Sequence, residues 1–254
     1  MAERFIQSIE RAADVLELFL QTNQELSVKE MSEKLGLSKS TVHGIIKTLE
    51  FRGYLRQNPD DLKYGLGMKL FELGNRVSSQ FDLVKMARPI IQKLVDQLRE
   101  TVHLVVFERD EVIYVEKMEG PGALRIYSQI GKKAPIHCTG VGKAILAFQE
   151  EKEMERLLST ADIEPFTNYT ITDKEDIKKH LQTVREQGYA IDDEEIELGL
   201  KCVAAPIFNH HGKAIAAISC ASPKMRLDDT KLSEVITEIK QAAAKISEGL
   251  GYNH

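Results

Sequence analysis

Apolar positions recur at helical spacing from the start of the chain. Over 5–21, Ile9, Ala12, Ala13, Leu16, Phe19 and Leu20 fall on one face, which predicts an amphipathic helix that needs a partner. Ser27 opens a second, shorter helix: its hydroxyl can cap the free amides, and Glu30 at the third position completes a capping box. Val28, Met31 and Leu35 form its stripe, and Gly36, free to take positive φ, makes the turn. Ser38 then caps a third helix over 39–49, with Val42, Ile45, Ile46 and Leu49 turned inward. Two short helices joined by a glycine turn, the second polar at its start, describe a helix-turn-helix. The runs 53–56 and 62–66, separated by the turn Asn58-Pro59-Asp60-Asp61, predict a hairpin behind it, hence a winged domain.

A stripe of Leu66, Leu70, Leu73 and Val77, widened by Phe71, predicts a linker helix that packs on the first helix or on the same linker of a second subunit. Ser78-Ser79-Gln80 reads as a polar break. The next helix, over 81–99, can be capped by Asp82 and buries Val84, Ala87, Ile91, Leu94, Val95 and Leu98, with Pro89 demanding local distortion. From Thr101 the period drops to two. Strands are expected over 102–108 and 112–118 as a hairpin, then 123–129, 202–208 and 214–221, with extended chain at 189–192. Helices are expected from 142, over 152–158, over 173–187 behind a Thr172 cap with Gly188 as its stop, and over 227–248. The fold class is therefore α+β: a winged helix-turn-helix over 1–66, a linker helix over 67–81, and an antiparallel sheet flanked by helices over 82–254.

With 254 residues, 43% of them apolar and 29% charged, the chain can fill two cores. No run approaches a membrane span, the N-terminal residues lack a signal peptide's apolar stretch, and three unpaired cysteines fit a reducing compartment, so a cytoplasmic protein is expected. The net charge of −5 must be divided. Residues 1–80 hold 11 basic and 11 acidic side chains, whereas between 34 and 69 seven basic residues face three acidic ones. Duplex binding needs such a local patch, not a basic whole protein.

The candidate DNA contacts follow from the third helix and the wing. Ser38 caps a helix whose free amides can meet a phosphate. Lys39 and Lys47 can reach phosphates or a guanine edge, and Ser40, Thr41 and His43 can meet base edges or sugar-phosphate oxygens. Arg56 and Lys63 flank the wing tip as phosphate contacts, while the acidic tip argues against deep minor-groove insertion. The competing reading is a merely solvated helix face.

Gly140-Val141-Gly142-Lys143 invites a phosphate-loop reading, but the GxxxxGK[ST] spacing is absent. The two glycines can instead turn amides towards a small carboxylate. His137, Cys138, Cys202 and Cys220 raise a zinc site or a thiol nucleophile. Their spacing is diagnostic of neither, and cysteines on apolar strands behave as small inert hydrophobes. No acid–base pair stands at a convincing spacing, so no catalytic residue, metal or cofactor is assigned; a thiol-dependent enzyme and a protein-contact module remain the rivals. His210-His211 sits in an exposed turn, and the acidic run 192–195 reads either as a solvated loop or as a cavity wall.

Four stretches together resemble the IclR family of transcriptional regulators: LGLSKSTVH at 35–43, GYL at 53–55, PIHCTGVGKA at 135–144, and GYA at 188–190 with DDEE at 192–195 and GLKCVAAPI at 199–207. The resemblance spans nearly the whole chain. It implies a GAF-like effector domain, a homodimer or dimer of dimers, and palindromic double-stranded DNA operators. It also implies control of a carbon-catabolic operon, more often by repression than by activation, through a small carboxylic or sugar acid. The effector positions it implies are Gly140, Val141, Asp193, Cys202, Ser219 and Ala221; from the residues alone, Arg125 is a candidate counter-charge. Some relatives have serine where Ala221 stands, so one hydroxyl is missing here and sugar acids or aromatic acids are as admissible as glyoxylate or pyruvate.

Overall fold

A computed structural model describes residues 5–22, 24–80, 82–121 and 128–252. The chain divides into two compact units, Met1–Gln80 and Phe81–His254.

In the first unit, α1 (Gln7–Glu17) tightens into a 3-10 turn, Leu18–Leu20. α2 (Val28–Leu35) starts in the expected capping box, with Ser27 and Glu30 bonded reciprocally, and Gly36 ends it at φ +63°. α3 (Lys39–Phe51) is capped by Ser38 and runs two residues beyond the expected end. The wing strands β1 (Leu55–Gln57) and β2 (Tyr64–Leu66) pair antiparallel, and Leu26 bridges to Tyr64 as a third edge. The core is Val15, Leu18, Met31, Val42, Ile46, Leu55 and Tyr64, with Phe19, Leu26 and Leu49.

The first helix departs from its expected stripe. Val15 and Leu18 are buried, while Ile9 is 63% exposed and Leu20 72%. The 3-10 turn advances each residue by 120° instead of 100°, which swings Leu18 and Phe19 inward and Leu20 out. Phe5 and Ile6, just before α1, and Ile9 on it are also open to solvent. α4 (Met68–Gln80) continues through the expected polar break, because serine and glutamine cost a helix little by themselves. Met68, Phe71 and Leu73 on it are exposed.

The second unit is one six-stranded antiparallel sheet of order β5-β4-β3-β8-β7-β6. The strands are β3 (Thr101–Glu108), β4 (Glu111–Met118), β5 (Lys133–Ala134), β6 (Ala190–Asp193), β7 (Leu200–Phe208) and β8 (Ala214–Pro223). The helices are α5 (Asp82–Leu98), α6 (Gly140–Leu146), α7 (Glu151–Thr160), α8 (Lys174–Gln187) and α9 (Asp229–Gly249). α5 stays helical through Pro89. α8 is capped by Asp173, not Thr172: its carboxylate accepts from the amides of Glu175 and Asp176 at 2.9 and 3.0 Å. The strand expected over 123–129 falls largely outside the described residues, as does Arg125.

Strand alternation divides this sheet into two faces. Val102, Leu104, Val203, Ile207, Ile218 and Cys220 point to α5 and α9, where Ile91, Leu98, Ile239 and Ile246 meet them. Val105, Ala204 and Ala217 point the other way, to Val141, Ile145, Leu181 and Val184. That second face turns polar at one end. Register sets Thr101, Ala221, Cys202 and Asp192 side by side across four strands, and Lys117, His103, Ser219 and Ala204 in the adjacent row. Apolar helices cannot cover such a floor without leaving polar groups unsatisfied, and a cavity lies over it.

Candidate functional site

The first candidate surface is the start of α3. Ser38, Lys39, Ser40, His43 and Lys47 are exposed and Thr41 is half-buried. Ser38 Oγ accepts the Thr41 amide at 3.2 Å and lies 2.9 Å from the hydroxyls of Ser40 and Thr41, which fixes the first turn. Lys47 is paired with Glu50 at 2.9 Å and Arg56 with Glu25 at 2.8 Å. Both pairs are exposed enough to exchange their carboxylate for a phosphate at little cost. Sequence reasoning passed over Glu25. It accepts from Arg56 and, at 2.9 Å, from Asn58 Nδ2, and so braces the root of the wing. Lys63 is half-buried, and Pro59, Asp60 and Asp61 form the exposed tip.

The second candidate is the cavity on the polar end of the sheet, about 160 Å³ in volume. Gly140, Val141, Cys202, Ser219 and Ala221 line it, as expected from their motifs, and His103, Tyr114, Ser128 and Asp192 line it with them. Asp193 does not. It pairs outward with Lys201 at 3.1 Å and Lys224 at 2.9 Å. Neighbours on a strand face opposite ways, and Asp192, in register with Cys202, is the one on the cavity side. The pairing partner decides this, and the local run of acids carries no sign of it.

α6 begins at Gly140 rather than Gly142, with Thr139 as its cap: Thr139 Oγ1 accepts from the Gly142 amide at 3.0 Å. The amides of Gly140 and Val141 have no intrahelical acceptor. The two glycines differ in purpose. A Cβ on Gly142 would stand 2.6 Å from the Ile136 carbonyl oxygen and 2.7 Å from that of Pro135, so this glycine is required for close packing. On Gly140 a Cβ would meet the Ala204 methyl at 3.3 Å and, at an ordinary contact distance of 3.7 Å, Cys202.

Behind the cavity, Lys143 is 1% exposed. Its ammonium donates to Glu195, to the Ile191 carbonyl at 2.5 Å and to His180 Nε2 at 3.3 Å. The motif lysine is therefore an internal anchor, not a phosphate ligand. Asp192 is also 1% exposed; its Oδ1 accepts the amides of Glu195 and Ile196 at 2.9 and 3.4 Å, while Oδ2 has no partner among the described residues. Burial pushes its carboxyl up to about 7; Lys143 opposes that shift and Glu195 adds to it. Burial, then Lys117, drives His103 down to about 3, so it is a neutral imidazole, 2.6 Å from Ser128 Oγ.

The cysteines in and around this cavity are poor nucleophiles. Burial raises the thiols of Cys202 and Cys138, and Cys220 is pushed up to about 12, so all three stay protonated at neutral pH. His137 Nε2 donates to the Glu164 carbonyl, 3.1 Å away, while His210 and His211 are exposed. Among the described residues no three His, Cys, Asp or Glu side chains converge to hold a metal, and no helix is long and apolar enough to cross a membrane.

Residues 8–59 match the IclR helix-turn-helix domain, and residues 75–248 match the bacterial transcriptional regulator IclR C-terminal family. The chain belongs to the IclR family. It is a ligand-responsive, DNA-binding transcription regulator, not an enzyme. Among its IclR relatives, the HTH-type transcriptional regulator XynR of Escherichia coli K12 is 40% identical over 247 residues, covering 97% of this chain and 98% of that one. The crystal structure of Thermotoga maritima IclR superposes with a TM-score of 0.79 at 32% identity, covering 98% of this chain and 100% of that one. An IclR homologue from Microbacterium hydrocarbonoxydans, solved in complex with 4-hydroxybenzoate, gives a TM-score of 0.84 at 26% identity, covering 96% and 98%.

Proposed function

We propose that this chain is a homodimeric repressor of a carbon-catabolic operon, binding a palindromic operator and released by a small hydroxylated carboxylic acid. The half-open cavity carries this reading. It offers two amides without intrahelical acceptors at Gly140 and Val141 for a carboxylate. Ser219, Cys202 and the Asp192 carboxyl provide hydroxyl partners on the opposite floor. Asp192 takes the part that the motif reading gave to Asp193. Sugar acids and hydroxylated aromatic acids, the class of the ligand bound to the Microbacterium homologue, share this chemistry.

The exposed start of α3 reads the operator through Lys39, Ser40, Thr41 and His43, with Ser38, Lys47, Arg56 and Lys63 on the backbone. The open apolar residues Phe5 and Ile6 before α1, Ile9 on α1, and Met68 and Phe71 on α4 support pairing with a second copy. In a dimer, two recognition helices reach half-sites about 34 Å apart or a multiple of that. The segment 67–81 joins the two units and is the route by which occupancy changes operator affinity. The test is fluorescence anisotropy with the promoter-proximal DNA at fixed salt, with and without a panel of such acids. An effector must shift DNA affinity, and DNA must shift effector affinity by the same factor. DNA affinity that no acid moves would sink the acid-effector reading; a rise instead of a fall would overturn release by the acid.

A further inference from the structure

The cavity floor is unbalanced in charge. Lys143 is the one buried cation at Asp192 among the described residues, and two buried carboxylates, Asp192 and Glu195, face it. Lys143 gives its proton-donor bond to Glu195, not to Asp192. The other titratable groups around Asp192 are neutral: Cys202 on β7, Tyr114 on β4 and Cys138 before α6 are held protonated by burial, while His103 on β3 and His180 on α8 are held deprotonated. Lys117, beside His103 in the floor row and only 14% exposed, is already paired with Glu119 at 2.9 Å and donates to the Ser128 carbonyl at 3.1 Å. Lys132, Lys133 and Glu197 stand at the exposed rim and are screened by solvent. An anion that enters this space with Asp192 ionised makes three negative charges against one positive.

Resting on the acid-effector reading, we propose that the cavity takes a monoanionic hydroxylated acid together with one proton, which resides on Asp192, and rejects dianions. The geometry supplies the place for that proton. Asp192 Oδ1 is occupied by two backbone amides, so the proton sits on Oδ2, the buried oxygen that has no partner. Protonated, Oδ2 becomes a donor to a ligand oxygen, and the site then holds one ligand charge and Glu195 against Lys143 and the helix amides. Burial already places the Asp192 carboxyl near neutrality, where a single ligand charge is enough to complete protonation. Among the described residues, a second ligand charge meets no buried cation that is not already paired with a carboxylate.

The experiment is isothermal titration of the full chain with D-glycerate, D-gluconate and 4-hydroxybenzoate, and with the dianions tartronate and D-glucarate. It runs from pH 6 to 8.5 in pairs of buffers that differ in ionisation heat, which counts protons. The expected result is uptake approaching one proton per bound monoanion above neutrality, affinity falling about tenfold per pH unit there, and weaker binding of each matched dianion. Asp192→Asn keeps the Oδ1 acceptor and mimics the neutral acid. It should bind with a flat pH profile and no proton uptake, its folding checked by circular dichroism. Binding of a monoanion without proton uptake, or an unchanged slope in Asp192→Asn, overturns the proposal while leaving the acid-effector reading standing. Failure of every acid to bind at pH 6, where binding is most favoured, removes both.

Discussion

Replacing Lys143 with methionine isolates the internal anchor of the effector unit. An ammonium has three donors, and all three of Lys143's are used, on Glu195, Ile191 and His180. The lysine and glutamate side chains are only 1% and 7% exposed. Methionine fills similar volume but leaves the Glu195 carboxylate buried with no counter-charge, its Oε2 already without a partner among the described residues. Breaking a buried pair on one side costs about 3–5 kcal/mol, because the surviving charge keeps its desolvation penalty and loses its attraction. For a unit of this size that corresponds to a fall in melting temperature of about 10 °C. The double replacement Lys143→Met with Glu195→Leu removes both charges and should recover most of the loss, since an apolar pair of similar volume carries no desolvation penalty. The assay is differential scanning calorimetry of the full chain, following the transition of the larger unit at pH 7. A single-variant loss below about 3 °C, or a double variant as unstable as the two single losses added, would refute this account of the anchor.

Asp192→Asn carries a pH signature in stability as well as in binding. A carboxyl near 7 in the folded chain and near the ordinary carboxylate range when unfolded binds its proton more tightly in the folded state, so wild-type stability falls as pH rises from about 4 to about 7. The variant should therefore be more stable than wild type at pH 8, by about 4 kcal/mol, and nearly equal to it at pH 4, in calorimetry at both pH values; an equal difference at the two would contradict the assignment. Gly142→Ala should destabilise by about 1–3 kcal/mol despite alanine's better helix propensity, because its methyl meets the carbonyls of Pro135 and Ile136; a stabilised variant in urea denaturation would count against that packing. Lys39→Ala should weaken binding to operator and unrelated DNA alike and reduce the slope of log affinity against log salt by about one, while an unchanged slope would mark Lys39 as a solvated residue only.

The winged unit was legible because its signals are local. A capping box at Ser27 and Glu30, a left-handed stop at Gly36 and a cap at Ser38 each depend on residues within a few positions, and each stands as read. The errors there are also local in kind. The stripe on the first helix assumed 100° per residue through Leu20, and a 3-10 turn broke that rule. The polar residues 78–80 read as a break, although polarity by itself does not stop a helix.

What the chain alone determined is the set of periodic segments, their caps and turns, and the family motifs, because these follow from neighbours along the backbone. Which carboxylate faces the cavity, what Lys143 is for, and how His103 comes to stand beside Ser219 were decided by tertiary structure alone. Strand alternation offers two faces and no means of choosing between them, and only pairing with β7 turns Asp192 inward and Asp193 out. Likewise a lysine in a glycine-rich turn reads as a ligand for phosphate until a glutamate 52 positions later folds against it.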